Sequence, residues 1–264
     1  MGTASATYPQ RDKTLRKGLH LLELLTLQGA LSLRDVIAQS GLKKGNAYHL
    51  LQTLIEEGYV QQGDSARYAP TLKLWEIGML QSERLDFVPP CLPAMLFLRN
   101  ETRETVNLAM LDGHEVLYLH KLDSLEAVRT FTRVGGRAPA HCVATGKAIL
   151  AFDRKGEDLW RALPKEQFSN TTITDPARFA EEMIQTRTRG YSINQGEWHG
   201  AVRGIAAPIF GWGNRVRLAL GIAAPGERLP PARTEVVGAL VVSAAQQASE
   251  AISGLKAAAP SDLA

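Results

Sequence analysis

Through the first seventy-five residues, apolar positions recur at helical spacing in three successive stretches. Leu15, Leu19, Leu22 and Leu25 predict a first amphipathic helix that stops near Gln28-Gly29. Ser32 caps a second, with Asp35 in its first turn and Leu33, Val36 and Ile37 along it, before Ser40-Gly41 breaks it. A third stripe, Ala47, Leu50, Leu51 and Leu54, runs through "LKKGNAYHLLQTLIEEGYV". Two short strands, 59–62 and 67–69, then flank a Gly63-Asp64-Ser65 turn.

The next segment, "PTLKLWEIGMLQSERLDFVPP", carries Leu72, Leu74, Trp75, Ile77 and Met79 and reads as a linker helix ended by Pro89-Pro90. Beyond it the texture changes. A helix over 92–101 precedes strands at 105–111 and 115–120, joined at Asp112-Gly113-His114, and "AVRTFTRV" reads as another strand. Helices follow over 144–152 and from Asp175-Pro176 to Arg189, then strands at 204–210 and 216–223 about a turn at 211–214. A long helix over 234–255 and a short tail close the chain. The pattern predicts an α+β chain in three parts: a winged helix-turn-helix domain over 10–72, a linker helix over 73–89, and a sheet with helices over 90–256.

Charge sharpens the first part. The whole formal net charge of +3 falls within residues 1–75, where nine Lys and Arg face six Asp and Glu. The third helix turns Gly45, His49 and Gln52 away from its apolar stripe, flanked by Asn46, Tyr48 and Thr53, with Lys43 and Lys44 at its start. Asn and Gln pair with adenine edges, and Lys meets phosphate or guanine. Arg16 and, on the expected wing, Arg67 add charge for a duplex backbone. A solvated helix face with no partner has the same composition, but the helix, helix-turn-helix and wing order favours double-stranded DNA.

Two cysteines provide neither a disulfide framework nor four-ligand zinc spacing, so no metal and no cofactor is expected. The N-terminus lacks a secretory apolar core, Ala6 breaks the myristoylation pattern, and no apolar run reaches membrane-spanning length, which predicts a cytoplasmic protein without membrane contact. "HCVATGKAIL" looks at first like a phosphate loop, but His141 stands where that loop needs Gly and Ala148 where it needs Ser or Thr. What remains is a loop entering a helix at Ala144-Thr145-Gly146, whose open N–H groups suit a carboxylate, with His141 beside it. A small-carboxylate enzyme using His141 and Cys142, with the first domain as a docking module, is the competing reading. A second dense patch, "YSINQGEWHGAVRGIAAPI", gathers Asn194, Gln195, Glu197, Trp198, His199 and Arg203 as a pocket rim.

Over nearly its whole length the chain resembles the IclR family of bacterial transcriptional regulators, through "LSLRDVIAQSGLKKGNAYHLLQTLIEEGYV", "GGRAPAHCVATGKAILA" and "RGYSINQGEWHGAVRGIAAPI" followed by "VRLALGIAAPGERL". The resemblance implies a non-enzymatic, DNA-binding regulator with a GAF-like effector domain, acting as homodimers that pair into homotetramers on DNA. It places the effector pocket at Ala138, Ala144, Thr145, Asn194, Val202, Gly204, Gly221 and Ala223. Asn194 stands where Asp is common in the family, Gly204 where Cys is common, and Gly221 and Ala223 where Ser often appears. Fewer side chains there imply a roomier pocket, suited to an aromatic or sugar-derived carboxylate. The effector itself, the direction of regulation, the target genes and the operator are not encoded in these motifs.

Overall fold

The computed structural model describes residues 12–63, 65–85, 87–211 and 216–258. The expected domain start at residue 10, the wing-turn Asp64, residues 212–215 of the turn after 210 and the last six residues lie outside them. The chain divides into two compact units, Met1–Leu85 and Asp86–Ala264.

The first unit runs α1 (Lys13–Gln28), β1 (Leu31–Ser32), α2 (Leu33–Ser40), α3 (Lys44–Glu56), β2 (Val60–Gln62), β3 (Arg67–Pro70) and α4 (Lys73–Leu85). Its boundaries follow from local chemistry. Asp12 accepts hydrogen bonds from the Thr14 and Leu15 amides to start α1. Ser32 and Asp35 form a reciprocal capping box on α2, and Gly41 ends that helix at φ 67°, a left-handed conformation natural to glycine. The strands pair antiparallel in the order β1-β3-β2, so α2, α3 and the β2–β3 hairpin make a winged helix-turn-helix. Its core joins Leu21, Leu25, Val36, Ala47, Leu51, Val60 and Tyr68. The α1 stripe is corrected: Leu25 is buried, but Leu15 and Leu19 are 62% and 52% exposed, and Leu21 takes the inward position. A leucine repeat shows that a helix has an apolar face, not which partner covers it.

The second unit runs α5 (Val88–Thr102), β4 (Thr105–Asp112), β5 (Glu115–Leu122), β6 (Arg137–Pro139), α6 (Ala144–Phe152), α7 (Gly156–Ala162), α8 (Pro176–Arg189), β7 (Ser192–Gln195), β8 (Val202–Phe210), β9 (Val216–Pro225) and α9 (Pro231–Ala258). Six strands in the order β6-β5-β4-β9-β8-β7 pair antiparallel throughout. Alternation assigns the faces. On β8, Ile205, Ala207 and Ile209 pack with α5 and α9, while Ala206 between them packs with α6, α7 and α8.

Two further expectations are corrected. Pro89-Pro90 does not end the linker helix: α4 stops at Leu85 and the prolines lie in the first turn of α5, where missing N–H groups cost nothing. "AVRTFTRV" forms no strand, because Val128 and Phe131 are 69% and 89% exposed and lack the neighbour that makes a β-prone segment pair. Helix α7 and strands β1, β6 and β7 are additions to the sequence reading.

Candidate functional site

On the first unit, α3 begins at Lys43 with no side chain capping it, which leaves its first N–H groups and positive dipole end open beside Lys43 and Lys44. Lys43, Lys44, Asn46, Tyr48 and His49 are exposed and Gln52 is half-buried, so one helix brings together six of the eight residues expected at DNA. Ala47 and Leu51 face inward and fix this orientation. Arg67 is exposed on β3, where it donates to the Ala30 carbonyl at 3.2 Å. Arg16 stands apart on α1, bordering a groove that Leu42 and Ser40 of the α2–α3 turn help to close.

On the second unit a cavity lies where α6 meets the sheet. Ala144, Thr145, Asn194, Val202, Gly204 and Ala223 of the expected pocket line it, with Asn107, Tyr118, Phe131, Trp198, His199 and Arg203. Helix α6 has no side-chain cap, so its N-terminus opens here. Thr145 Oγ1 and Asn107 Oδ1 are buried without a well-formed hydrogen bond among the described residues, with the Tyr118 hydroxyl near Thr145. Thr145 is able to donate to an anion, whereas Asn107 Oδ1 only accepts and calls for a ligand O–H or N–H. Asn194 Oδ1 accepts from the Gly196 and Glu197 amides at 3.0 and 2.8 Å, which leaves its NH2 for the cavity. Burial pushes the Tyr118 phenol up to about 12, so it stays a donor at neutral pH. Donors thus predominate, with Arg203 supplying positive charge; the wall serves an anionic, hydrogen-bond-accepting ligand.

The roominess expected here is corrected. The cavity holds about 60 Å³, below the ~300–1,000 Å³ usual for drug-sized ligands. Gly221 does not enlarge it: a Cβ there would come within 2.5 Å of Ala206 Cβ and the Ile205 carbonyl, so this glycine serves strand packing. Ala138 and Gly221 are not among the lining residues, and His141 lines a separate cavity. Asn107, Tyr118 and Phe131 escaped the sequence reading; a lone Asn inside the apolar run "TVNLAML" was the available signal.

Glu197 also turns away from this cavity. Its Oε1 lies 2.6 Å from the Nζ of Lys147, whose side chain is 1% exposed. Lys147 further meets Glu182 at 3.4 Å, and Glu182 is held by Arg189 at 2.7 Å. Burial pushes the Glu197 carboxyl above the ordinary range, and the Lys147 ammonium offsets this only in part. Thr172 donates to the Glu197 carbonyl at 2.6 Å, so the loop carrying Trp198 and His199 is pinned at both ends of one residue. Gly146, the other half of the Gly-Lys pair, abuts the Ala140 backbone so closely that no Cβ fits.

His141 and Cys142 do not form a nucleophile pair. Cys142 is fully buried and its thiol is pushed up to about 12 by burial, so no thiolate forms at neutral pH. His141 Nε2 is taken by the Glu166 carbonyl at 3.2 Å.

The family model for the bacterial transcriptional regulator IclR C-terminal region matches residues 81–250, and that for the IclR helix-turn-helix domain matches residues 14–64. The chain belongs to the IclR family. This IclR-family chain is 30% identical to the transcriptional regulator KipR of Bacillus subtilis over 92% of its own length and 98% of that protein's. It is also 30% identical to the transcriptional repressor IclR of Escherichia coli, covering 97% and 95% of the two chains. Its fold matches an IclR homologue from Microbacterium hydrocarbonoxydans, crystallised with 4-hydroxybenzoate, at a TM-score of 0.78 and 24% identity over 91% of this chain and 99% of that one. The chain is therefore a transcriptional regulator and not an enzyme.

Proposed function

We propose that the chain binds double-stranded operator DNA through α3 and the wing, and that a small organic acid in the α6–sheet cavity changes that binding. DNA contact falls to residues 10–72, effector binding to 90–256, and residues 73–89 link the two. The observation that carries the sensing half is the buried Thr145 hydroxyl, free to donate, beside the open α6 N-terminus; Asn107 Oδ1, a bare acceptor, suits a hydroxyl on the same acid rather than its carboxylate. The 4-hydroxybenzoate bound to the Microbacterium homologue supports an aromatic acid as the class to test first. At about 60 Å³ the cavity accepts one only if its walls move; Phe131, 89% exposed on the β5–β6 loop, is the wall side chain least held by packing. The acid would favour one of two arrangements and so alter operator affinity.

A homodimer presents two recognition helices to two half-sites, and exposed Leu15, Leu19, Trp75 and Leu80 offer apolar surface for it. Pairing into tetramers on DNA and a cytoplasmic site of action complete the reading. A panel of carboxylates is screened by thermal shift, and each acid that raises the melting temperature is tested on DNA from beside the gene by fluorescence anisotropy. An acid that both stabilises the protein and changes DNA affinity bears the proposal out. Stabilising acids that all leave DNA affinity unaltered would sink the sensing half, and a protein that ignores its own flanking DNA would sink the first.

A further inference from the structure

The histidine that looked catalytic in the sequence stands in a second cavity, on the other side of Trp198. This cavity opens at the β5–β6 edge of the sheet and is lined by Glu115, Arg137, His141, Glu166, Phe168 and Trp198, with His114 at the β4–β5 turn. It offers about 570 Å³, within the ~300–1,000 Å³ range of small-molecule sites.

Its chemistry differs from that of the first cavity. His141 is 2% exposed and its ring meets those of Trp160 and Phe168, each at a tilt, at centroid distances of 6.2 and 6.1 Å. Burial holds its pKa below the ordinary imidazole range, so the ring is neutral at neutral pH. The Glu166 carbonyl can only accept, so Nε2 carries the proton and Nδ1 is left as an acceptor. Arg137 is already engaged by Asp112 at 2.6 Å and Glu115 at 3.6 Å. The Glu166 carboxylate has no ion-pair partner among the described residues, and its neighbour Lys165 lies over the Trp160 ring instead. Asp112 and Glu115 thus hold the guanidinium between them, Glu166 adds a separate carboxylate to the cavity wall, and Phe168 and Trp198 add aromatic surface. A cation is stabilised by such rings and by a spare carboxylate together.

We propose that this edge cavity is a second ligand site, selective for an aromatic ammonium compound whose ring packs on Phe168 and Trp198 and whose N–H groups meet Glu166 and His141. Trp198 walls both cavities, so a ligand here also sets the shape of the carboxylate site.

Tryptamine is titrated calorimetrically into the full-length protein beside indole-3-acetate, the same ring with the opposite charge. Tryptamine binds saturably in the micromolar-to-millimolar range, and indole-3-acetate binds at least about tenfold more weakly, a difference of about 1.4 kcal/mol. Glu166→Lys, at an exposed position, and His141→Phe, which keeps a ring beside Trp160 and Phe168, each lower tryptamine affinity about tenfold or more. Hydrogen-exchange protection by tryptamine falls on 137–141 and 164–168. Absent saturable binding, equal affinity for the two indoles, indifference to Glu166→Lys, or protection confined to 202–206 would each overturn the proposal. A carboxylate screen that fails while tryptamine still binds would leave this site standing and remove only the sensing reading.

Discussion

Replacing Lys147 by Met removes the ammonium that balances Glu197 and keeps most of the buried volume. Glu182 retains Arg189 at 2.7 Å, so a single carboxylate is stranded. Glu197, whose side chain is 4% exposed, then keeps only the Gln195 amide at 3.4 Å. Breaking a buried pair by removing one partner costs about 3–5 kcal/mol. Protonating Glu197 caps that cost. Its carboxyl already sits above its ordinary 4.5 because of burial, and loss of the opposing ammonium raises it further. A carboxyl raised on folding favours the folded state while protonated; that contribution is full below its unfolded value and lost as pH rises through the folded one. The deficit of Lys147→Met is therefore larger near neutral pH than near pH 5, by about 1.4 kcal/mol for each unit by which the folded-state value is raised, over the span titrated. Lys147→Met/Glu197→Gln leaves no buried charge at this pair and recovers at least half of the loss. Urea unfolding followed by circular dichroism at the two pH values measures all three proteins, read as midpoint changes at constant slope. A single variant within about 1 kcal/mol of wild type at neutral pH, a deficit independent of pH, or a double variant no better than the single would refute the reasoning.

Lys43→Ala/Lys44→Ala weakens operator binding across sequences and makes the logarithmic salt dependence shallower by about 1 for each phosphate no longer neutralised, read by anisotropy at several salt concentrations. Gln52→Ala or Asn46→Ala narrows the gap between operator and random DNA by about 1–3 kcal/mol where that side chain meets a base, measured by competition. Thr145→Val removes a buried hydroxyl that has no well-formed hydrogen bond; its melting temperature holds or rises, while any carboxylate-induced shift shrinks, a pairing that a purely structural threonine would not give. Gly146→Ala drives a methyl into the Ala140 backbone and costs at least about 1–3 kcal/mol in urea unfolding, against near-neutrality if the helix were free there.

Much of the first unit was legible because its signals are local. Ser32 with Asp35, Gly29 and Gly41 mark helix ends within a few residues of where they act. Leu15 and Leu19 misled because periodicity identifies an apolar face without naming what covers it. The segment 127–134 misled in the same way: its β-prone residues have no strand to pair with. In the second unit, six of the ten expected pocket residues line one cavity, since the helix entry at Ala144-Thr145 and the patch before β8 each concentrate polar groups. The misses are long-range. Nothing near Lys147 announces a carboxylate fifty positions away, and nothing at Gly221 distinguishes a glycine that opens a pocket from one that lets two strands close.

The order of strands also has a consequence in time. Strand β4 lies inside the sheet, and one of its neighbours is β9, with Thr105 opposite Ala223. At a synthesis rate of ~5–20 residues per second, the ribosome needs on the order of ten seconds to deliver that partner after β4 has emerged. The pairings within the winged unit, by contrast, all fall within the first eighty-five residues. Local contacts form fast and distant pairings wait. A nascent chain is thus expected to own a DNA-reading head before it owns a sensor, and β4, with one edge still bare, is the strand that a chaperone has most reason to shield.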